Sequence, residues 1–312
     1  MQKFGFVFPG QGSQKLGMLA DLASRHPQLQ DTFAEASAAL GINLWDVCQR
    51  DADNVLDQTE ITQPMLLTAS VAIWRLWQHH KAPDPVIMAG HSLGEYSALV
   101  CAGVLDFTDA VVLVNKRGKY MQTAVPPGTG AMAAIVGLEN YQIQEICQQQ
   151  AQGQVVSAAN FNSPGQTVIA GDTEAVERAM QACKDAGAKR ALPLKVSVPS
   201  HCQLMQPAAE RLAVDLQALT FRPANIPVVQ NVNAEVTTDA DSIRQNLLDQ
   251  LHRPVLWVDT VRLMHRGGVQ AVVECGPGKV LCGLIRRIES ELTCFGSEDS
   301  SSFQQACNEA MG

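Results

Sequence analysis

Apolar positions along the chain alternate between short runs of strand length and longer stretches with helical spacing. Phe4-Gly5-Phe6-Val7-Phe8 predicts a short aromatic strand, ended by Pro9-Gly10-Gln11-Gly12-Ser13-Gln14. Helical periodicity covers Met18 to Leu40, and the set Met65, Leu66, Ala69, Ile73, Leu76 and Trp77 predicts a second helix running up to Pro83. Val86 to Ala89 is an apolar strand that passes through Gly90-His91-Ser92-Leu93-Gly94 into helix-like sequence. A further helix starts near Asp106, with Thr108 as its cap, and carries Val111, Val112 and Val114 towards Arg117 and Met121. At Val125-Pro126-Pro127-Gly128-Thr129-Gly130, two prolines and two glycines in six residues mark a linker.

Beyond the linker the pattern predicts a strand over Ala131–Val136, a helix over Tyr141–Gln150 and a strand over Val155–Ala159. Asn160 to Gly165 reads as a turn, Thr167–Ala170 as a strand, and Thr173 as the cap of a helix reaching Ala186. Glu174 and Glu177 lie where they suit that helix's dipole, and Arg190 to Val198 closes the run as a strand. The order β-α-β-β-α-β is that of a small ferredoxin-like unit, here inserted mid-chain. After Pro199-Ser200-His201 come a helix over Met205–Leu219, a strand over Ile226–Val229, and helices over Asp241–Leu251 and Val258–Gly267. Ala271–Cys275 is a strand, and Gly276-Pro277-Gly278 leads into another helix. Such alternation implies a mostly parallel sheet covered on both faces. Ser297 to Gly312 is polar and is expected to fray or lie on the surface.

Composition narrows the class. With 46% hydrophobic and 17% charged residues, the chain reads as a soluble enzyme. No stretch is apolar and long enough to span a membrane, and no cationic, apolar leader precedes the first strand, so a cytoplasmic protein is expected. Nine scattered cysteines, without a Cys-x-x-Cys pair or a Cys/His cluster, argue for reduced thiols and against a disulfide framework or a structural zinc. A net charge of −8 argues against nucleic acid as a partner, since phosphate neutralisation needs a basic face.

The candidate chemistry centres on Ser92. Gly-x-Ser-x-Gly between a strand and a helix is a nucleophile elbow: glycines permit the sharp turn, and the hydroxyl stands exposed at its tip. The fold class is therefore α/β, with an α/β-hydrolase-like core over 1–124 and 199–312 and the ferredoxin-like subdomain over 125–198. The glycine-rich loop after the first strand lacks both nucleotide-binding spacings and is better suited to presenting backbone N–H groups to an oxyanion.

A serine needs a general base. Among seven histidines, His79 and His80 sit at a helix end, His26 reads as solvated, and the elbow turns His91 away. His201, at the re-entry from the small unit, is the candidate base, with a purely structural histidine as the alternative. No carboxylate among Glu210, Asp215, Asp249, Asp259 and Glu274 stands in a distinctive motif, so a dyad held by a backbone carbonyl or an amide stays open.

The ordered motifs Phe8-Pro9-Gly10-Gln11-Gly12-Ser13-Gln14, Gly90-His91-Ser92-Leu93-Gly94-Glu95-Tyr96, Asn115-Lys116-Arg117-Gly118 and Val198-Pro199-Ser200-His201 carry a resemblance. Gln250-Leu251 with Pro254-Val255-Leu256-Trp257, and Glu274-Cys275-Gly276-Pro277-Gly278, complete it. The chain resembles the malonyl-CoA:acyl carrier protein transacylases of dissociated bacterial fatty-acid synthesis from end to end. The resemblance implies that Ser92 attacks the malonyl thioester, that His201 takes its proton, and that the amides of Gln11 and Leu93 hold the oxyanion. It implies further that the Gln250 carbonyl orients His201 and that Arg117 pairs with the malonyl carboxylate; alone, Arg117 beside Lys116 and Lys119 would read as a solvated basic face.

The partners so implied are malonyl-CoA, as a substrate and with no further cofactor, and an acyl carrier protein; a monomer is expected. Such carriers are acidic, which makes Lys189, Arg190, Lys195, Arg286 and Arg287 the docking candidates. Three rivals remain: a serine esterase or thioesterase, a scaffold that binds carrier protein without turnover, and a trans-acting acyltransferase of polyketide assembly.

Overall fold

The first strand, β1 (Phe4–Phe8), is buried at every position, and its alternation sorts the side chains between two cores. Phe4, Phe6 and Phe8 project into one core and Val7 into the other. The computed structural model describes residues 3–194 and 198–311. After β1 come α1 (Ala20–Arg25), α2 (Leu29–Leu40), α3 (Leu44–Gln49) and α4 (Thr59–His79), then β2 (Ile87–Gly90), α5 (Leu93–Cys101) and α6 (Phe107–Gln122). The middle of the chain forms β3 (Gly130–Val136), α7 (Asn140–Ala151), β4 (Val156–Ser163), β5 (Gln166–Asp172), α8 (Thr173–Asp185) and β6 (Arg190–Pro193). It ends with α9 (Gln206–Ala218), β7 (Val228–Val229), α10 (Ala240–His252), α11 (Trp257–Arg266), β8 (Ala271–Glu274), α12 (Val280–Ile288), β9 (Thr293–Gly296) and α13 (Ser300–Met311).

Five strands form a parallel sheet in the order β7-β2-β1-β8-β9. Helices cover both faces, which is why β1 and β8 are buried at every position instead of alternating with solvated ones. Phe6 meets Trp74 and Trp77 of α4 edge to face, with ring centres 5.5 and 4.8 Å apart. The register Phe8↔Gly90 brings the loop after β1 beside the elbow after β2, at the carboxyl end of the sheet, where α/β folds place their ligands.

The second sheet is antiparallel, in the order β4-β5-β3-β6, and gives the β-α-β-β-α-β unit its ferredoxin-like topology. Ile135, Ile143, Val176 and Ala179 join one of its faces to α7 and α8. Met132, Ala159, Val168 and Ala170 on the other face pack with Cys202. The N–H of Val255 donates to Ala159 O, and that of Phe161 to Val255 O, which ties β4 to the segment before α11.

Local expectations fail where a short-range cue competes with a better one. The helix expected over Met18–Leu40 is two helices, α1 and α2, broken at His26-Pro27-Gln28, because proline disfavours helix in the residue before it. The α6 cap is Asp106, which accepts the N–H groups of Thr108 and Asp109; Thr108 lies inside the helix. Helix α8 is preceded by Asp172 in the N-cap position, while Thr173 Oγ1 donates to Gly128 O. Asn160 to Ser163 continues β4 opposite β5 across two irregularities, leaving Pro164-Gly165 as the turn. Of the strand expected over Arg190–Val198, residues 190–193 form β6, and 195–197 lie outside the described residues.

The polar tail does not fray. Its residues 300–311 form α13, whose Phe303, Ala306 and Cys307 are buried, with Phe303 edge-on to Trp77. Thiols are not all free either: Cys282 of α12 and Cys294 of β9 form a disulfide, with α-carbons 5.3 Å apart. A twelve-residue spacing carries no motif; the parallel placement of β9 beside β8 is what brings these two together. Among the described residues, no helix is long and apolar enough to cross a membrane.

Candidate active site

Ser92 adopts φ 53° and ψ −107°, a conformation that costs a non-glycine residue free energy and must be held by its surroundings. The glycines on either side make the turn possible. A Cβ on Gly90 would run into the Gly94 backbone, and one on Gly94 into the carbonyl of Phe8 on β1. Asn231 supplies the clasp: its Oδ1 accepts the Ser92 N–H at 2.7 Å and its Nδ2 donates to Gly90 O at 2.6 Å. This residue follows β7, the neighbour of β2, and its role is a spacing across 139 residues that the sequence analysis missed.

His201 Nε2 lies 2.8 Å from Ser92 Oγ, and its Nδ1 lies 2.6 Å from the main-chain oxygen of Gln250. A carbonyl can only accept, so Nδ1 carries the hydrogen and Nε2 is left to accept from the serine hydroxyl. The histidine is 3% exposed. Burial, then repulsion from Arg117, pulls it down to about 3, against the Gln250 hydrogen bond, so it is neutral at neutral pH. Gln250 sits in the last turn of α10. His91 turns from the serine as its place in the elbow suggested: Nε2 meets Asn162 Oδ1 at 2.8 Å and its ring packs on Trp257.

Arg117 is not a solvated basic residue. It is 1% exposed. Its Nη1 donates to Gln63 Oε1 at 2.8 Å, while Nη2 donates to Gln250 Oε1 at 3.0 Å and Ser92 Oγ at 3.4 Å. Among the described residues no carboxylate forms an ion pair with it, and its Nε meets no acceptor. The neighbouring motif residues explain how a helix delivers this side chain. Pro64 in α4 has no N–H for Glu60 O, and Asn115 Nδ2 donates to that carbonyl at 2.7 Å instead. Gly118 lies against the Glu60 backbone, where a Cβ would not fit, so α6 closes on α4. Lys116, one residue away, points elsewhere and pairs with Asp215.

These groups open into one cavity of about 510 Å³. Gln11, from the loop after β1, and Leu93, the first residue of α5, both line it. Leading amides of a helix have no intrahelical acceptor, so Leu93 N–H is disposed toward a developing anion beside Ser92. Met132 and Val168 of the small sheet and Val280 and Leu284 of α12 supply apolar wall. The cavity thus spans both sheets.

Glu95 is a buried carboxyl the sequence analysis left unassigned; burial pushes it up to about 7, opposed by bonds from Gln250 and Asn231 and by Arg117. Of the carboxylates weighed as partners of His201, none takes that place, because the Gln250 carbonyl holds it. Lys189, Arg190, Arg286 and Arg287 are exposed, the last donating to Gln166 Oε1 on β5. Lys195 lies outside the described residues.

Known proteins resemble this chain along nearly its whole length. The family described as acyl transferase domain matches residues 5–294. A malonyl CoA-acyl carrier protein transacylase of Escherichia coli (strain K12) is 58% identical over 306 residues, covering 98% of this chain and 99% of that protein. The solved malonyl CoA-acyl carrier protein transacylase of Coxiella burnetii superposes with a TM-score of 0.98 at 50% identity, covering 100% of this chain and 98% of that one. A malonyl-transacylase solved in complex with its type II PKS acyl-carrier protein gives 0.97 at 56% identity, covering 99% of this chain and 100% of that one.

Proposed function

The chain belongs to the acyl transferase domain family, and from that premise we propose that it carries a malonyl group from malonyl-CoA to the phosphopantetheine thiol of an acyl carrier protein. The observation that carries the acyl specificity is Arg117: a buried cation whose hydrogen-bond partners among the described residues are neutral, 3.4 Å from the serine oxygen. A free carboxylate on the acyl chain supplies the anion such a site lacks, and a guanidinium can grip it with two parallel bonds.

In the first half-reaction Ser92 Oγ attacks the thioester carbonyl while His201 Nε2 takes its proton. The amides of Gln11 and Leu93 hold the oxyanion as the C–O bond forms. Collapse breaks the C–S bond and releases coenzyme A, whose thiolate takes the proton back from His201. A thiol with a pKa of about 8.5 leaves readily, so a histidine oriented by a neutral carbonyl suffices. In the second half-reaction the carrier's thiol gives its proton to His201 and attacks the malonyl-serine, which regenerates Ser92. Both thiols end a pantetheine arm, so one cavity serves them in turn. The steps need no cofactor besides the thioester substrate.

The large unit of 1–124 and 199–312 holds the nucleophile and base, and the subdomain of 125–198 forms the facing wall. The exposed cations Arg190 of β6 and Arg286 and Arg287 of α12 suit an acidic carrier. We read this as a cytoplasmic enzyme, since malonyl-CoA and acyl carrier proteins are reagents of that compartment.

Intact mass after mixing with malonyl-CoA tests the reading. A malonyl adduct forms on the wild type, is absent in Ser92→Ala, and is discharged by carrier protein. Release of free malonate at the same rate without carrier would identify a hydrolase instead. The likeness to a transacylase held by a polyketide carrier favours a second choice of carrier with the same chemistry; discharge by each carrier type decides between them.

A further inference from the structure

Glu95 lies in the first turn of α5, three residues after Ser92, is fully buried, and has no part in the steps above. Its Oε2 accepts two hydrogen bonds, from the main-chain N–H of Asn231 at 3.0 Å and from Gln250 Nε2 at 2.8 Å. Its Oε1 meets no donor among the described residues. Both bonds therefore end on the two residues that hold the reacting pair. Asn231 clasps the elbow through Ser92 N–H and Gly90 O, and Gln250 orients His201 through its main-chain oxygen. Gln250 Nε2 closes the ring by reaching Ser92 O at 3.0 Å. These partners come from α5, the segment after β7, and α10, so nothing in the local chain keeps them in register. A shared acceptor does.

We propose that Glu95 is a positioning residue for acyl transfer: its Oε2 couples Asn231 to Gln250, so that Ser92 and His201 are held in one frame. The proposal rests on Ser92 and His201 being nucleophile and base. Charge pairing with Arg117 is not the arrangement seen, since the guanidinium bonds to Gln63 and Gln250. A neutral acceptor of the same shape at position 95 therefore serves, because both accepted bonds end on Oε2 and an amide nitrogen in place of Oε1 removes neither.

The experiment compares wild type with Glu95→Gln, Glu95→Asp and Glu95→Ala by single-turnover acylation with malonyl-CoA. The burst of p-nitrophenol from p-nitrophenyl acetate, which needs the nucleophile and base but no acyl carboxylate, is measured in parallel. Displacing a reacting group by about 1 Å costs roughly 100-fold, and that loss is expected for Ala and Asp in both assays, in kcat and not in KM. Glu95→Gln is expected to restore both rates, and Glu95→Ala is expected to be less than additive with Asn231→Ala. Glu95→Asp, which keeps the charge and withdraws the oxygen, covers the case in which Glu95→Ala fails to fold. Wild-type rates per folded molecule in Asp and Ala, a loss confined to KM, or no rescue by Gln would each overturn the proposal. A wild type that is acylated by the ester but not by malonyl-CoA would overturn the malonyl reading and leave this one standing.

Discussion

His201 Nδ1 lies 2.6 Å from the main-chain oxygen of Gln250, so a peptide carbonyl orients this imidazole where the histidine of a Ser-His-Asp hydrolase meets a carboxylate. Because the orienting atom is main chain, Gln250→Ala keeps it and loses the side-chain bonds to Arg117, Glu95 and Ser92 O. Gln250→Ala is expected to retain measurable acylation, whereas His201→Ala falls by about 10³-fold or more. Single-turnover rates with malonyl-CoA check this, and equal losses would move the orienting role to the side chain.

The buried histidine sets the acid limb. A folded-state value of about 3, against an ordinary 6.5, leaves His201 neutral through the physiological range. The kcat/KM profile for acylation is expected to show no histidine limb near 6.5, and a limb there would contradict the neutral resting base. Between 6.5 and about 3 the unfolded chain binds a proton at this residue that the native state refuses, so this group's contribution to stability falls as pH drops through that window.

Glu274 acts in the opposite sense. Burial raises it from 4.5 to about 7 even though both oxygens accept amides at the start of α12. The native state holds its proton where the unfolded chain has lost it, so stability falls as pH rises from 4.5 to about 7. Glu274→Gln is expected to flatten that fall, as read from urea midpoints across the interval.

Arg117→Ala is expected to lose selectivity for malonyl over acetyl by about 10- to 100-fold, since the acetyl group no longer leaves a buried cation unpaired. Arg117→Lys does not restore it, because an ammonium cannot reproduce the fork that meets Gln63, Gln250 and the acyl carboxylate together. Competition between the two coenzyme A thioesters, read by intact mass, measures the ratio; full discrimination in Arg117→Ala would refute the assignment.

Gly94→Ala puts a methyl group where the Phe8 carbonyl stands. The backbone on β1 cannot yield without breaking the sheet, and a loss of about 4 kcal/mol or more is expected, seen as a large fall in Tm or insoluble protein. Asn231→Ala should cost about 1–3 kcal/mol, because it strands the partly buried Ser92 N–H and the Gly90 carbonyl. Chemical denaturation of both variants ranks them, and the glycine change should be the worse.

Legibility follows the range of the interactions. The elbow was readable because glycines, serine and flanking apolar runs all lie within a few residues of one another, and so was the β-α-β-β-α-β order. Helix ends were read less well: Thr108 and Thr173 have cap chemistry, but the aspartates before them hold those positions. The amphipathic face of α13, set by Phe303, Ala306 and Cys307, was masked by its polar neighbours.

The sequence by itself determined the fold class and singled out Ser92 through the local pattern of the elbow, while it offered His201 as a candidate base beside a structural alternative. Only the tertiary structure decided what those residues face. Arg117 becomes a buried cation because Gly118 and Asn115 let α6 close on Pro64 of α4. Asn231 and Glu95 enter the site across 139 and 155 residues from their partners. Cys282 meets Cys294 through the neighbouring strands β8 and β9. Burial and pairing are properties of the packed chain, and no periodicity along the sequence encodes which distant donor will meet which acceptor.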